Sequence, residues 1–528
     1  MKKLLSMLLV LTFMLSCGCA FADGYWDKEA EPVKLTYWCP LSSFAAVGID
    51  NLKDNLIYKT VMETSNFTIE FIHPAIGEEK TAFNLLMMSN ELPDIIEYNW
   101  THYEGGAQKA LDDDIIIPLN DVLADYAPDA YGLMTKSDDL RKQCTTDDGT
   151  FYAFIPIVNS SCIPNGMKDD RIQSGPILRK DWMEELNLTA PVTIEDWTAV
   201  LTAFKDQKGA EAPLCAIMNR DNVPDVFEFF LGAYGVGYKY YLNDDKVMYG
   251  PAQEGYRNFL RQMKMWYDTG LLDADFASNN ADTRTSNILN GRSGAYVAPA
   301  GSGIQAINQM GKAADESFQL YGVDYPVIEA GQTVFFAPYT YSARSAGQAA
   351  ITRSCRDVEA ACKFLNFWYT DEGSLLKNFG VEELCYIVNE DGTLSYTDLI
   401  NNNPDGLTQK QAKAIYMRTD NPNPGPIVKT YTGDVEADIA LDMWCTHADD
   451  VLTTTYPSGA SMTSDEAFEL ASLNANIDAY TSEMAIKFIM GTVDLEIEWD
   501  TYVSHLKTLG VERIIELKQA AADRYNNK

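Results

Sequence analysis

The chain has 528 residues, enough for two or three domains of ordinary size. Its 76 acidic and 41 basic side chains give a formal charge of −35. Such a surface repels phosphate backbones, which excludes nucleic acid as a partner, and serves chiefly to keep the protein in solution. The ten cysteines are scattered, with no C-x-x-C pair and no Cys/His cluster, so the sequence offers no zinc site.

The N-terminus reads MKKLLSMLLVLTFMLSCGCAFADG. Lys2 and Lys3 precede an apolar run from Leu4 to Leu15, the layout of an export signal too short to span a bilayer. No later run reaches the ~18 apolar residues a membrane helix needs. Residues 1–22 are read as the signal. Ala20-Phe21-Ala22 suits ordinary cleavage before Asp23, whereas Cys17 or Cys19 suits lipoprotein processing. Local sequence leaves both routes open.

Residues 33–40 (VKLTYWCP) are β-branched and aromatic and read as a strand. Helical spacing of Leu52, Leu56, Ile57 and Val61 follows, and then FTIEFIHP alternates as a second strand. A helix over 79–90 and a third strand over 93–100 (PDIIEYNW) complete a β-α-β-α-β order, which argues for a parallel sheet. Such sheets bind ligands beyond the carboxyl ends of their strands, where Trp38, Tyr98 and Trp100 fall. TFYAFIPIVN (150–159) reads as an extended crossing. Helices are expected over 179–188, over 191–207 with a Thr193/Asp196 capping box, and over 256–273 closed by Gly270. FQLYGVDYPV (318–327) reads as a second extended crossing. Residues 356–373 carry an apolar stripe through Ala361, Cys362, Leu365 and Trp368, and the last sixty residues are mostly helical. Two crossings imply two lobes, each made of non-contiguous pieces.

Catalytic signatures are missing. The four histidines (His73, His102, His447, His505) form no H-E-x-x-H, and no nucleophile elbow, phosphate loop or G-x-G-x-x-G occurs. What the chain has is 29 Tyr and 9 Trp, several in loops. Sugar rings stack their C–H faces on aromatic rings and need amide, carboxylate or guanidinium partners for their hydroxyls.

Several ordered segments carry a resemblance. FNLLMMSNELPDII (83–96), LDDDIIIPLNDVLADYAPDAY (111–131), DDGTFYAFIP (147–156), ILRKDWMEELNLTAPVTIEDW (177–197), YDTGLLDADF (267–276), LNGRSGAYV (289–297) and the C-terminal 484–526 resemble the family 1 extracellular solute-binding proteins of bacterial ABC importers. The likeness is greatest to their long, LplA-type carbohydrate-binding branch. It implies an α/β, two-lobed periplasmic-binding-protein fold of type II-like form, with a ligand cleft between the lobes and a helical C-terminal region. Lobe 1 is expected over 33–155 and 327–386, lobe 2 over 157–326 and 387–528.

The same resemblance implies a non-catalytic receptor that captures a sugar or oligosaccharide by lobe closure and delivers it to ABC permease subunits. The alternatives are a receptor for peptides or other small solutes, or a secreted carbohydrate-active enzyme. Expected ligand contacts are Trp38, Tyr98, Trp100, Asn219, Arg220, Tyr234, Tyr296, Tyr339, Tyr341 and Trp444. Replacing Trp38, Tyr98, Trp100 and Tyr296 by alanine is expected to weaken binding without unfolding. Trp182 and Trp197 read as core. No cofactor is expected. Where many long relatives carry a calcium loop this chain reads KDQKGAEAPL (205–214), short of oxygen ligands at alternate positions, so no metal is expected there. The resemblance also favours lipidation at Cys17 or Cys19, a monomer held at the outer face of the membrane, and otherwise a secreted or periplasmic protein.

Overall fold

A computed structural model describes residues 25–528 apart from 90, 164, 165, 168 and 220. The signal segment, with Cys17 and Cys19, lies outside the described residues, as does Arg220. The strands are β1 (Val33–Trp38), β2 (Phe67–Ile72), β3 (Ile95–Tyr98), β4 (Ile157–Val158), β5 (Ser174–Arg179), β6 (Tyr240–Asn243) and β7 (Lys246–Tyr249). They continue with β8 (Ala295–Pro299), β9 (Leu320–Gly322), β10 (Gln348–Ile351), β11 (Tyr386–Val388), β12 (Leu394–Tyr396) and β13 (Pro426–Ile427). The chain divides into two compact units: one holds the residues up to Gly166 and Ala343–Val428, the other Met167–Ser342 and Lys429–Lys528. It therefore passes from unit to unit three times.

The first unit is built on a sheet of order β10-β3-β1-β2. β1 runs parallel to β2 and to β3, as the β-α-β-α-β order requires, while β10 adds an antiparallel edge. β2 alternates cleanly, with Phe67, Ile69 and Phe71 buried and the residues between them exposed. The helix Leu56–Thr64 starts at Asn55, whose side chain accepts the Ile57 N–H. The helix Val358–Phe367 buries Ala361, Cys362 and Leu365, the stripe read from the sequence, and Trp368 is buried just beyond its end.

The second unit holds the antiparallel sheet β8-β5-β9 under a shell of helices. The helix Ile194–Lys208 opens with the expected capping box. Thr193 Oγ1 accepts the Asp196 N–H, and Asp196 returns a bond to the Thr193 N–H. Trp182 and Trp197 are buried in this core. The C-terminal helices run Ser464–Ile489, Leu495–Thr508 and Val511–Asn526. Among the described residues no helix is long and apolar enough to cross a membrane.

Two expectations about organisation differ from this architecture. Segment 318–327 is not a crossing. Its centre is β9, an edge strand paired with β5, and Val327 bonds Val192 and Ile194 of the same unit. The crossing falls instead after Ser342. Residues 387–428, expected in lobe 2, lie in the first unit because Arg418 pairs with Glu97 on β3 and Asn55 holds the carbonyls of Ala414 and Met417. Residues 327–342 lie in the second unit, where Thr340 donates its N–H to the Arg171 carbonyl.

Candidate functional site

In the first unit, β1 and β3 are parallel neighbours and end side by side, with Trp38 opposite Ile96. Their ends carry a ring cluster. Trp38 meets Tyr98 edge-on at 5.6 Å, and Phe83 from the helix Glu79–Met87 lies 4.7 Å from Tyr98 and 5.5 Å from Trp100. The exposed His102 ring stands 5.3 Å from Tyr98. Asn99 shapes the turn by accepting the Thr101 N–H. Tyr98 is half-buried and offers ring surface, whereas Trp38 is 4% exposed and mainly braces it. Burial, with Glu79 nearby, lifts the Tyr98 phenol above the usual tyrosine range, so it stays a neutral hydrogen-bonding hydroxyl.

Trp100 is a core residue. It is 0% exposed and donates its indole N–H to the Gln348 carbonyl on β10 at 3.2 Å. Tyr296 is likewise enclosed at 0%, in the middle of β8, and its hydroxyl donates to the Gly303 carbonyl. Trp444 is also 0% exposed and donates to the Val323 carbonyl at 2.9 Å. The missing side chains of Gly175 and Gly322 make its space, since a Cβ on Gly322 would come within 2.8 Å of the indole. These three expected contacts are corrected to packing residues. Loop-borne and core aromatics look alike in sequence, and the large apolar area of each ring favours burial.

In the second unit, residues 217–225 fold back on themselves. Ile217 and Asp225 exchange hydrogen bonds, and Asn219 N–H donates to the Val223 carbonyl. The Asn219 amide oxygen accepts the N–H groups of Asp221 and Val223, and its amide nitrogen donates to Glu228 at 2.8 Å. Asn219 thus builds the loop rather than facing outward with free groups. Around it Tyr238 donates to Asp221 at 3.0 Å, and Lys239 bridges Asp221 and Asp478 at 3.0 and 3.3 Å. This half-buried set of amide, carboxylate, hydroxyl and ammonium groups is of the kind that recognises sugar hydroxyls. Beneath it the Asp225 carboxyl is pushed up to about 7 by burial, against the Ile217 N–H and the Arg284 guanidinium 3.1 Å away.

Tyr234 is half-buried, lies 6.0 Å from the Phe259 ring, and its hydroxyl makes no hydrogen bond among the described residues. Tyr339 is half-buried and meets Tyr341 edge-on at 5.1 Å. Tyr341 is 9% exposed, with its hydroxyl on the Tyr456 carbonyl. Tyr98, Tyr234 and Tyr339 are therefore half-buried, two of them in the second unit. Sequence reading missed Asp221, Tyr238 and Lys239. The only trace was the turn-rich NRDNVPD stretch (219–225), whose Asn and Asp residues mark a loop without saying what its side chains hold.

No cluster of three or more metal-ligating side chains occurs among the described residues.

The chain thus forms two α/β units joined by three passes, with half-buried aromatics and polar loop networks. Residues 57–381, more than half of the chain, match the model of the bacterial extracellular solute-binding proteins, and the chain belongs to that family. It is exported and works as a binding protein. It is similar to the fructooligosaccharide ABC transporter substrate-binding protein FusA of Streptococcus pneumoniae, 23% identical over 481 residues, covering 84% of this chain and 82% of that protein. It is also similar to the lipoprotein LipO of Bacillus subtilis, 22% identical over 63% of this chain and 64% of that one. Among solved structures, an HMO-binding, ABC-transporter-associated solute-binding protein from Bifidobacterium longum infantis superposes with a TM-score of 0.74. It is 16% identical and covers 94% of this chain and 99% of its own.

Proposed function

We propose that this protein is the receptor of an ABC importer for an oligosaccharide, which it binds reversibly and releases chemically unchanged. The observation that carries this reading is the similarity to a fructooligosaccharide-binding receptor over 84% of the chain. The half-buried Tyr98, Tyr234 and Tyr339 support it, as does the polar network around Asn219. Tyrosine faces take the apolar side of a pyranose or furanose, and amide and carboxylate groups take its hydroxyls. A chain of charge −35 favours a neutral sugar over a polyanionic one.

The protein acts as a monomer tethered to the outer face of the membrane through a lipid on Cys17 or Cys19, the role that the lipoprotein relative makes reasonable. Intact-mass analysis of cell-derived protein tests the tether: an unmodified Asp23 N-terminus contradicts it. A thermal-shift screen against neutral mono- and oligosaccharides tests the ligand class. A tight ligand raises the melting temperature by mass action, and the reading expects this from at least one oligosaccharide and from no peptide.

A further inference from the structure

The third pass between units follows Val428. The fifteen residues before it, 414–428, begin with the last turn of the helix Gln409–Tyr416 and from Met417 onward contain only the two-residue strand β13, yet buried side chains hold their backbone at close intervals. Asn55, fully buried, donates to the carbonyls of Ala414 and Met417 at 3.0 and 2.9 Å. Arg418 is enclosed between Glu97 and Tyr58, donating to the carboxylate at 2.8 Å and to the phenol at 2.7 Å. The Asn423 amide donates to the carbonyls of Arg418 and Asn421.

The last six residues are gripped by two consecutive side chains of the helix Asp371–Phe379. Lys377 Nζ donates to the carbonyls of Asn423 and Pro424 at 3.1 and 2.8 Å. Asn378 donates to the Pro426 carbonyl at 3.0 Å and accepts the Val428 N–H at 3.1 Å. Between them Gly425 takes φ +97°, and a Cβ there would meet the Trp368 carbonyl at 2.5 Å.

Lys377 is 2% exposed. Burial pushes its amine well below the usual lysine range, and its hydrogen bonds end on the two backbone carbonyls rather than on a carboxylate. β13 lies parallel to β4, and Ala343 bridges to Ile157 of β4, so the segments flanking all three passes are laced together within the first unit.

We propose that Lys377 and Asn378 are positioning residues for ligand capture. Without touching the ligand, they hold the chain rigid as far as Val428, so that movement at the third pass begins beyond it and the binding-competent arrangement stays populated. The link to capture rests on the receptor reading above. The rigidity does not.

The test compares wild type with Lys377→Met and Asn378→Ser, and with Lys377→Gln, which keeps donors for the two carbonyls without the charge. Small-angle scattering of ligand-free protein gives the radius of gyration, calorimetry with kestose gives the affinity, and a thermal melt gives stability. A smaller competent fraction weakens apparent affinity in proportion. Lys377→Met and Asn378→Ser are expected to change the ligand-free radius and weaken kestose binding about tenfold, within the usual span of coupling between sites. Lys377→Gln is expected to restore both. If the first two variants melt lower but keep the wild-type radius and affinity, the residues are merely structural and the inference is wrong. Should Lys377→Met fail to fold, Asn378→Ser carries the comparison. If wild type binds no kestose, the affinity comparison uses an oligosaccharide from the panel that it does bind; if it binds none, the receptor reading fails, and the ligand-free radius still decides on rigidity.

Discussion

Tyr98 and Trp100 stand two residues apart at the end of one strand, yet only Tyr98 keeps open surface. Tyr98→Ala is expected to weaken oligosaccharide binding about tenfold in calorimetry while the melt stays close to wild type, the loss falling within the ~1–3 kcal/mol that stacked rings supply. Trp100→Ala instead empties a closed core site and breaks the bond to the Gln348 carbonyl. It is expected to cost about 3–5 kcal/mol in urea denaturation. Asp225 gives a pH signature. Its carboxyl titrates at about 7 in the folded chain, against about 3.9 when unfolded. Between those values the folded state holds a proton that the unfolded state has lost, so this group's contribution to stability falls as pH rises through the window and levels off above it. Asp225→Asn lacks that slope. Its melting temperature relative to wild type is therefore expected to rise from pH 5 to about pH 7 and then level off, and a constant difference would contradict the assignment.

At the scale of elements, what reads correctly from sequence is what depends on short-range order. The alternation of FTIEFI gives β2, and the Thr193/Asp196 pair gives a helix start with both reciprocal bonds present. Thr193→Ala is accordingly expected to cost about 1 kcal/mol in denaturant melts. Segment 318–327 misleads because an edge strand before a proline and a crossing strand before a proline share one local pattern. Only the pairing of Leu320 with Arg179 on β5 separates them. Likewise β10 (QAAI) and β13 (PI) are too short for any period to show, and they exist because β3 and β4 offer partners. The strap 417–428, beyond the helix Gln409–Tyr416, is invisible in sequence for the same reason. Its order comes from Asn55, Lys377 and Asn378, distant in the chain.

At the scale of the whole molecule, sequence motifs identify the family because they mark helix starts, turns and strand entries that its members share in order. They are silent on which rings remain accessible, since that depends on what packs above each one, and so Trp100, Tyr296 and Trp444 are enclosed while Tyr98, Tyr234 and Tyr339 are half-buried. Residues 205–214 lack alternating oxygen ligands, so a chelator is expected to leave the melting temperature unchanged. A fall of several degrees, restored by calcium, would contradict this. The central claim is reversible capture of an oligosaccharide, and it is tested most directly by titrating the purified protein with neutral oligosaccharides in a calorimeter and recovering the sugar by chromatography. The account predicts saturable binding of one sugar per chain, returned intact. Absence of binding across the panel, or recovery of cleaved sugar, would contradict it.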